Sequence, residues 1–446
     1  MSHVAHLLVL LFLSSTSFGP AGQPKPNPPL ADATVAVTWA NLTLDVIRSS
    51  PANTPTYASR SLGYMGVAMY ESVVHSNPTY RSLAGQVSGL TTLPRPEPGQ
   101  TYHWPLVLNA GQALLLYRLY PHTYPGVQAR IDSLQRTVTA HYAATESPDV
   151  VARSLQYGWA LAIAIFEWSK TDGGHEGYNR NFDLNYLLPT GRGNWIPPVG
   201  GQSAVRRPLH ATWGHNRTFA PANNRLPVPP LLPYDTTATS AYYHEYAAVY
   251  QKSTTLTPEE KRIALWWSDD PALTMAPPGH SYNLATTIIR LGKPDLVKAA
   301  ETYARVGMSV ADAFINCWKC KYTYHRERPS TFIAANIQKD WKPFWPEPPF
   351  PAFPSGHSTQ AAAAATVLTD LYGKRVAFTD STHCGRRPDP TGLTYLPRHF
   401  QSFWESAVEC ANSRFYGGIH TNEDNQVGLA EGKKIGRNVN ALAWRR

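Results

Sequence analysis

Apolar residues recur at spacings of three and four along most of this chain, and alternation with a period of two is nearly absent. Helical spacing runs over 31–49, 57–76, 104–120, 148–170, 236–252, 257–268, 280–292, 295–322, 356–373, 399–414 and 423–443. Several of these segments carry their own boundaries. Ser147-Pro148 and Thr257-Pro-Glu-Glu260 set a capping hydroxyl before a first-turn proline, and Gly373 closes the alanine-rich segment. The pattern predicts an all-α protein of two packed helical bundles, with no convincing strand. Residues 173–234 interrupt it with Pro, Gly and Asn, a stretch too long for an ordinary connection. Trp195, Trp213 and Phe219 within it predict that it packs down as an ordered crossover. The chain therefore divides into an N-terminal helical half with this crossover, 22–235, and a C-terminal helical bundle, 236–446.

Composition narrows the class. Of 446 residues, 43% are hydrophobic and 16% charged, enough apolar material for a large core and too little charge for a disordered chain. Lys and Arg exceed Asp and Glu by 40 to 31, yet no run of five basic residues occurs. Nothing in that balance calls for nucleic acid, and a small oxyanion fits it. The apolar run from Ala5 to Leu13, followed by small residues, predicts a signal peptide over 1–21 and hence an exported protein, periplasmic or secreted. No later stretch approaches the roughly 20 apolar residues of a membrane span. Cys317, Cys320, Cys384 and Cys410 suit an oxidising compartment and permit three pairings. Cys317-Trp-Lys-Cys320 has redox-motif spacing but no βαβ pattern around it, so a structural disulfide or buried thiols are expected.

Three segments of the last third each bring an anion-holding group to a helix end. Lys321 and Arg328 stand seven residues apart, close to two helical turns, and Pro329 turns Arg328 out of helical geometry. In Pro351-Ala-Phe-Pro-Ser-Gly-His357, Ser355 is positioned as the cap of the alanine-rich helix, whose first-turn N–H groups and dipole favour an anion. Gly356 allows an oxyanion near the backbone, and His357 beside it is suited to proton transfer. In Ser413-Arg414-Phe-Tyr-Gly-Gly-Ile-His420, the glycine pair supplies the turn that lets Arg414 and His420 converge. Arg brings a planar fork for oxyanions, and His a nitrogen for nucleophilic attack or for ligating a metal oxyanion.

In this order, Lys-x6-Arg-Pro, Pro-Ser-Gly-His and Ser-Arg-x5-His resemble the superfamily of type 2 phosphatidic acid phosphatases, bacterial nonspecific acid phosphatases and vanadium-dependent haloperoxidases. Trp318 before Lys321 and Phe350 before Ser355 look like the halide-side pocket of the haloperoxidase branch. Trp266-Trp-Ser-Asp-Asp-Pro271, Pro277-Pro-Gly-His280 and Trp213-Gly-His-Asn-Arg-Thr-Phe219 look like stretches of secreted bacterial haloperoxidase-like proteins. The resemblance is strong over 260–430 and loose before it. It implies a site in the C-terminal bundle holding one vanadate per chain, joined to His420. Lys321, Arg328, Arg414, the Ser355 hydroxyl and the Gly356 amide would hold its oxygens. His357 would move the proton as hydrogen peroxide binds, and Lys321 would polarise the peroxide that a halide, iodide or bromide first, attacks to give hypohalous acid. Three cations around one anion call for acidic support, and Asp269 or Asp270 is expected to brace an arginine, Arg414 above all. Phosphate and vanadate are isosteric, so the same residues also suit an exported phosphomonoesterase with His420 as nucleophile and His357 as general acid, or a protein that only binds an oxyanion.

Overall fold

Helix starts are written into the chain as a proline in the first turn, a capping side chain, or both, and this holds for nearly every helix of the computed structural model, which describes residues 32–387 and 392–446. The expected signal segment 1–21 lies outside the described residues. In chain order the helices are α1 (Asp32–Ser49), α2 (Pro55–Glu71), α3 (Trp104–Leu119), α4 (Pro125–Ala143), α5 (Pro148–Ser169), α6 (Pro221–Asn224), α7 (Ala241–Thr254), α8 (Pro258–Trp266), α9 (Ala276–Gly292), α10 (Leu296–Tyr324), α11 (Pro329–Asn336), α12 (Gly356–Tyr372), α13 (Phe403–Tyr416) and α14 (Asn422–Asn440). Between α12 and α13, β1 (Phe378–Asp380) pairs antiparallel with β2 (Arg398–Phe400). None of the described helices is long and apolar enough to cross a membrane.

The 29-residue α10 is buried along almost its whole length and is the axis of the molecule. On one side it packs against α2, on another against α12, which in turn lies along α14. Both crossings are close enough to require glycine. A Cβ on Gly307 of α10 would fall 2.4 Å from the Leu62 carbonyl oxygen, and one on Gly432 of α14 would fall 2.1 Å from that of Thr359. α12, with its five consecutive alanines, is the thin helix that lets α10 and α14 approach from either side.

The crossover packs down as its aromatics predict, with Trp195, Trp213 and Phe219 all buried. Many of its attachments are main-chain groups. The Trp195 amide donates to the His325 carbonyl at 2.6 Å, and the Glu327 amide donates to Gly193 at 2.9 Å. The Leu209 carbonyl accepts from Trp318 Nε1 at 3.2 Å and from the Tyr322 hydroxyl at 2.7 Å. Deeper along α10, the buried Asp312 carboxylate accepts from the amides of Phe219 and Ala220, at 2.6 and 3.0 Å, and from Asn223 at 2.8 Å.

Three features depart from the sequence reading. α4 carries its apolar stripe on Val127, Ile131, Val138 and Tyr142 alone, and the polar residues of its exposed faces mask that period. α6 and α11 are short and begin at Pro221 and Pro329, prolines that start a helix as readily as they end one. The β1–β2 pair is three residues per strand, too short to show alternation, and β2 displaces the start of α13 from the expected 399 to Phe403. Of the two alternatives for Cys317 and Cys320 the structure has the buried thiols; Cys410 is likewise a buried free thiol and Cys384 an exposed one.

Asp312→Ala strips three buried donors of their acceptor. Unfolding followed by calorimetry is expected to show a loss of about 3 kcal/mol, a fall in Tm of roughly 3 °C for a chain of this length.

Candidate active site

α10 ends at Tyr324 because His325 takes a left-handed conformation, φ +49°, and the chain then runs extended to Arg328, which precedes Pro329 and stands at the start of α11 with φ −97° and ψ 162°. This break leaves Lys321 in the last turn of α10 and swings Arg328 back toward it. Both meet the proline-rich segment before α12. Lys321 Nζ donates to the carbonyls of Pro351, Ala352 and Pro354 at 2.8, 2.7 and 2.7 Å. Arg328 donates to the Phe350 carbonyl at 3.0 Å and to that of Ile419 at 2.8 Å.

Ser355 caps α12, accepting the Ser358 amide at 3.4 Å, and Gly356 opens the helix. A Cβ on Gly356 would lie 3.8 Å from the Trp318 ring and 3.9 Å from Cys317 Sγ, so the glycine leaves the cavity floor free beside the helix N-terminus. His357 follows, and its Nε2 is buried without a hydrogen-bond partner. Arg414 closes α13. Gly418, at φ +73°, turns the chain so that the Ile419 amide returns to the Arg414 carbonyl at 3.2 Å, and a side chain there would strike Pro343. His420 emerges just ahead of α14, with Nδ1 3.1 Å from Asp424 Oδ2. Asp424 also closes a capping box with Thr421. Because the carboxylate accepts the Nδ1 proton, Nε2 keeps a lone pair for a ligand.

Electrostatics define the site. Lys321, Arg328 and Arg414 are buried, at 0, 0 and 1% exposure, and among the described residues every hydrogen bond they make goes to a backbone carbonyl, Arg414 using that of Trp267 at 2.8 Å. Arg414 Nε has no partner. Burial pulls Lys321 down to about 8 and Arg328 to about 10, so both still carry charge at neutral pH. Burial also holds His420 down to about 3, against the pull of Asp424, and lowers His357, with Arg414 adding to the effect. The imidazoles are neutral where the three cations are charged. Buried cations without a counter-ion are costly, and an oxyanion offsets that cost while taking up the free Arg414 Nε, the His357 nitrogen and the open floor at Gly356. The donor set fits vanadate: cations and a helix N-terminus for the oxygens, and one neutral imidazole for the metal.

Above this floor lies a cavity of about 420 Å³ lined by Gly356, His357, Arg414 and His420 and walled by Phe314, Trp318, Trp345, Phe350 and a series of prolines. The Trp318 and Phe350 rings stand 4.8 Å apart. Lys321 Nζ is 5.2 Å from the centroid of Phe350, and the Arg328 guanidinium 5.3 Å, so this ring faces both cations.

The acidic pair acts on Arg414 through space, both carboxylates opposing the pull of burial on its charge, and gives it no hydrogen bond. Asp269 is turned away by its left-handed backbone, φ +49°, and meets His280 and His383. Asp270 accepts from Gln202 and Trp345, and its charge reaches Arg414 only through space. Asp424, which orients His420, escaped the motif reading, although its place four residues on and in a Thr421-x-x-Asp box was visible. Behind it Arg326, also buried, pairs with Glu423 and lies 3.8 Å from Asp424 Oδ1.

Sulfate, whose own charge is constant near neutrality, gives a test of the cradle by calorimetry. Its affinity is expected to fall above pH about 8 as Lys321 loses its proton. Lys321→Met should weaken binding roughly ten- to hundredfold and abolish that fall.

Residues 301–445 match the family model of the VCPO second helical-bundle domain. The vanadium chloroperoxidase of Curvularia inaequalis is 26% identical over 222 residues, 38% of this chain and 36% of that one, so the match spans about a third of that relative's length. Two crystal structures of a bacterial vanadium-dependent chloroperoxidase, apo and holo, share the fold with TM-scores of 0.65 and 0.64 at 15% and 16% identity, covering 88% and 94% of this chain and 94% of each of theirs. The crystal structure described as that of the first bacterial vanadium-dependent iodoperoxidase aligns with a TM-score of 0.77 and 31% identity over 90% of this chain and 95% of that one. On that agreement, which runs through nearly all of both chains, the protein belongs to the vanadium-dependent haloperoxidase family.

Proposed function

We propose that the protein is a vanadate-dependent haloperoxidase that uses hydrogen peroxide to oxidise halide, iodide before bromide, to hypohalous acid. The observation that carries the reading is the set of three buried cations, satisfied only by carbonyls, arranged around a histidine whose Nδ1 is already committed to Asp424. Bound vanadate supplies Lewis-acid activation of hydrogen peroxide without a change in oxidation state. The chain supplies the rest. Lys321, Arg328 and Arg414 neutralise the anion's oxygens, the Gly356 amide and Ser355 hydroxyl add neutral donors, and His420 offers Nε2.

His357 is the proton-handling group. Its unpaired Nε2 is neutral at working pH, so it accepts a proton from incoming hydrogen peroxide and returns it as hypohalous acid leaves. Lys321 stands between the carbonyl collar and the Phe350 ring, where a low dielectric strengthens its pull on peroxide oxygen. Trp318 and Phe350 form an apolar wall that partly strips water from an approaching halide. Iodide, the most easily oxidised halide, asks least of such a site, and the iodoperoxidase structure at 31% identity supports that preference. The apolar run at Ala5–Leu13 supports export of the mature chain.

Vanadate-loaded protein is expected to oxidise iodide with hydrogen peroxide in a triiodide assay, and His357→Ala to lower turnover by roughly 10²–10⁴-fold. Trp318→Ala or Phe350→Ala should lower iodide turnover about tenfold, or shift halide preference, while vanadate affinity stays within a few-fold. Loaded protein that oxidises no halide, yet cleaves phosphate monoesters when vanadate-free, would instead identify a phosphatase on the same residues.

A further inference from the structure

Beside the oxyanion site, three side chains from three separate segments meet in the interior, and one of them, Asp269, also lines that site's cavity. Asp269 belongs to the turn after α8, His280 to the first half of α9, and His383 to the turn after β1. All are buried, at 1, 1 and 2% exposure. One ligand atom from each lies within 4.8 Å of the others. Asp269 Oδ2 is 2.9 Å from His280 Nδ1, and Asp269 Oδ1 is 2.8 Å from His383 Nε2. On the far side of His280, Nε2 is 2.8 Å from Asp380 Oδ2, a carboxylate itself fixed by Trp266 Nε1 at 3.0 Å and the Thr382 amide at 2.9 Å. A carboxylate on the outer nitrogen of an imidazole is the arrangement that orients metal-ligating histidines.

We propose that Asp269, His280 and His383 bind a divalent transition-metal ion, zinc first, as a structural cross-link, with Asp380 as the positioning residue for His280. Two imidazoles and one carboxylate are a donor set that zinc accepts, with a fourth position for water or the second Asp269 oxygen. Charge favours it as well. Asp269 and Asp380 are buried on either side of His280, and a divalent cation taking the place of the proton His280 shares with Asp269 cancels both carboxylate charges. The site would also explain a strained backbone. Asp269, Ala272 and Ala276 all have left-handed φ, at +49°, +66° and +60°, in a turn that forms part of the cavity wall and needs an anchor. With all four cysteines free, no disulfide supplies one.

The test is metal analysis on the full-length protein. As purified, it is expected to hold about one zinc per chain by mass spectrometry. After stripping with chelator, zinc alone at 100 times Kd should raise Tm by about 3 °C. His383→Ala should abolish retention and shift, His420→Ala should leave both, and Asp380→Asn should weaken zinc binding 10- to 100-fold. Should His383→Ala fail to fold, cobalt(II) titration of the stripped wild type reads the same site through imidazole-ligated absorption bands. Stripped wild-type protein that gains no stability at saturating zinc and develops no cobalt bands would overturn the proposal, as would zinc lost with His420→Ala but kept with His383→Ala.

Discussion

Three positive charges are buried in one place, and the rest of the architecture is arranged around making that tolerable before any anion arrives. Carbonyl oxygens do it, and the sequence around them explains why they are available. Between Pro346 and Pro354 five residues are proline, and a proline contributes an acceptor with no N–H. A segment of that composition presents oxygens with few donors to compete for them. Lys321 and Arg328 close on it from one side, and the Ile419 carbonyl joins from the turn between α13 and α14. Each carbonyl carries only a partial charge, so the cations are held in place without being neutralised. A carboxylate in the same position would have satisfied them outright and left nothing for a ligand to do.

Helix ends supply the geometry. α10 stops at Lys321's turn, α12 starts at Gly356, α13 stops at Arg414 and α14 starts just past His420. Two helix N-termini and two charged C-terminal turns therefore face one point, and the glycine crossings on α10 and α14 bring the helices close enough for that convergence. The neutral imidazoles follow from the same burial that leaves the guanidinium groups charged, because a histidine surrenders its proton in an apolar, positively charged setting and an arginine does not.

How much of this could be read from residue order depends on what kind of group was involved. Lys321, Arg328, Ser355, His357, Arg414 and His420 were legible because their chemistry resides in side chains and their spacing is set by helix caps and a glycine turn. Eleven helices were legible from their apolar period, whereas α4 was hidden by its exposed faces. Carbonyl partners leave no trace in residue identity, so neither the collar around Lys321 nor the Trp267 contact of Arg414 could be anticipated. Charge alone pointed Asp269 toward Arg414, which it does reach through space, but nothing in residue order showed that its hydrogen bonds go to His280 and His383. Asp424 was readable in principle from its four-residue spacing to His420.

The attachment of the crossover at Leu209 bears on how such a site can change over evolutionary time. Its carbonyl accepts from both Trp318 and Tyr322, and its amide donates to Pro349 at 2.8 Å, just ahead of Phe350. The aromatic wall is thus registered against a strand of main chain rather than against particular side chains. Residues along that stretch are free to drift as long as the path of the backbone is kept, while an insertion or deletion would move both rings together. The anion cradle would feel such a shift directly, because Arg328 donates to the carbonyl of Phe350 itself. The apolar wall and the anion cradle are in this sense one mechanical part, and the backbone path through Phe350 is the constraint they share.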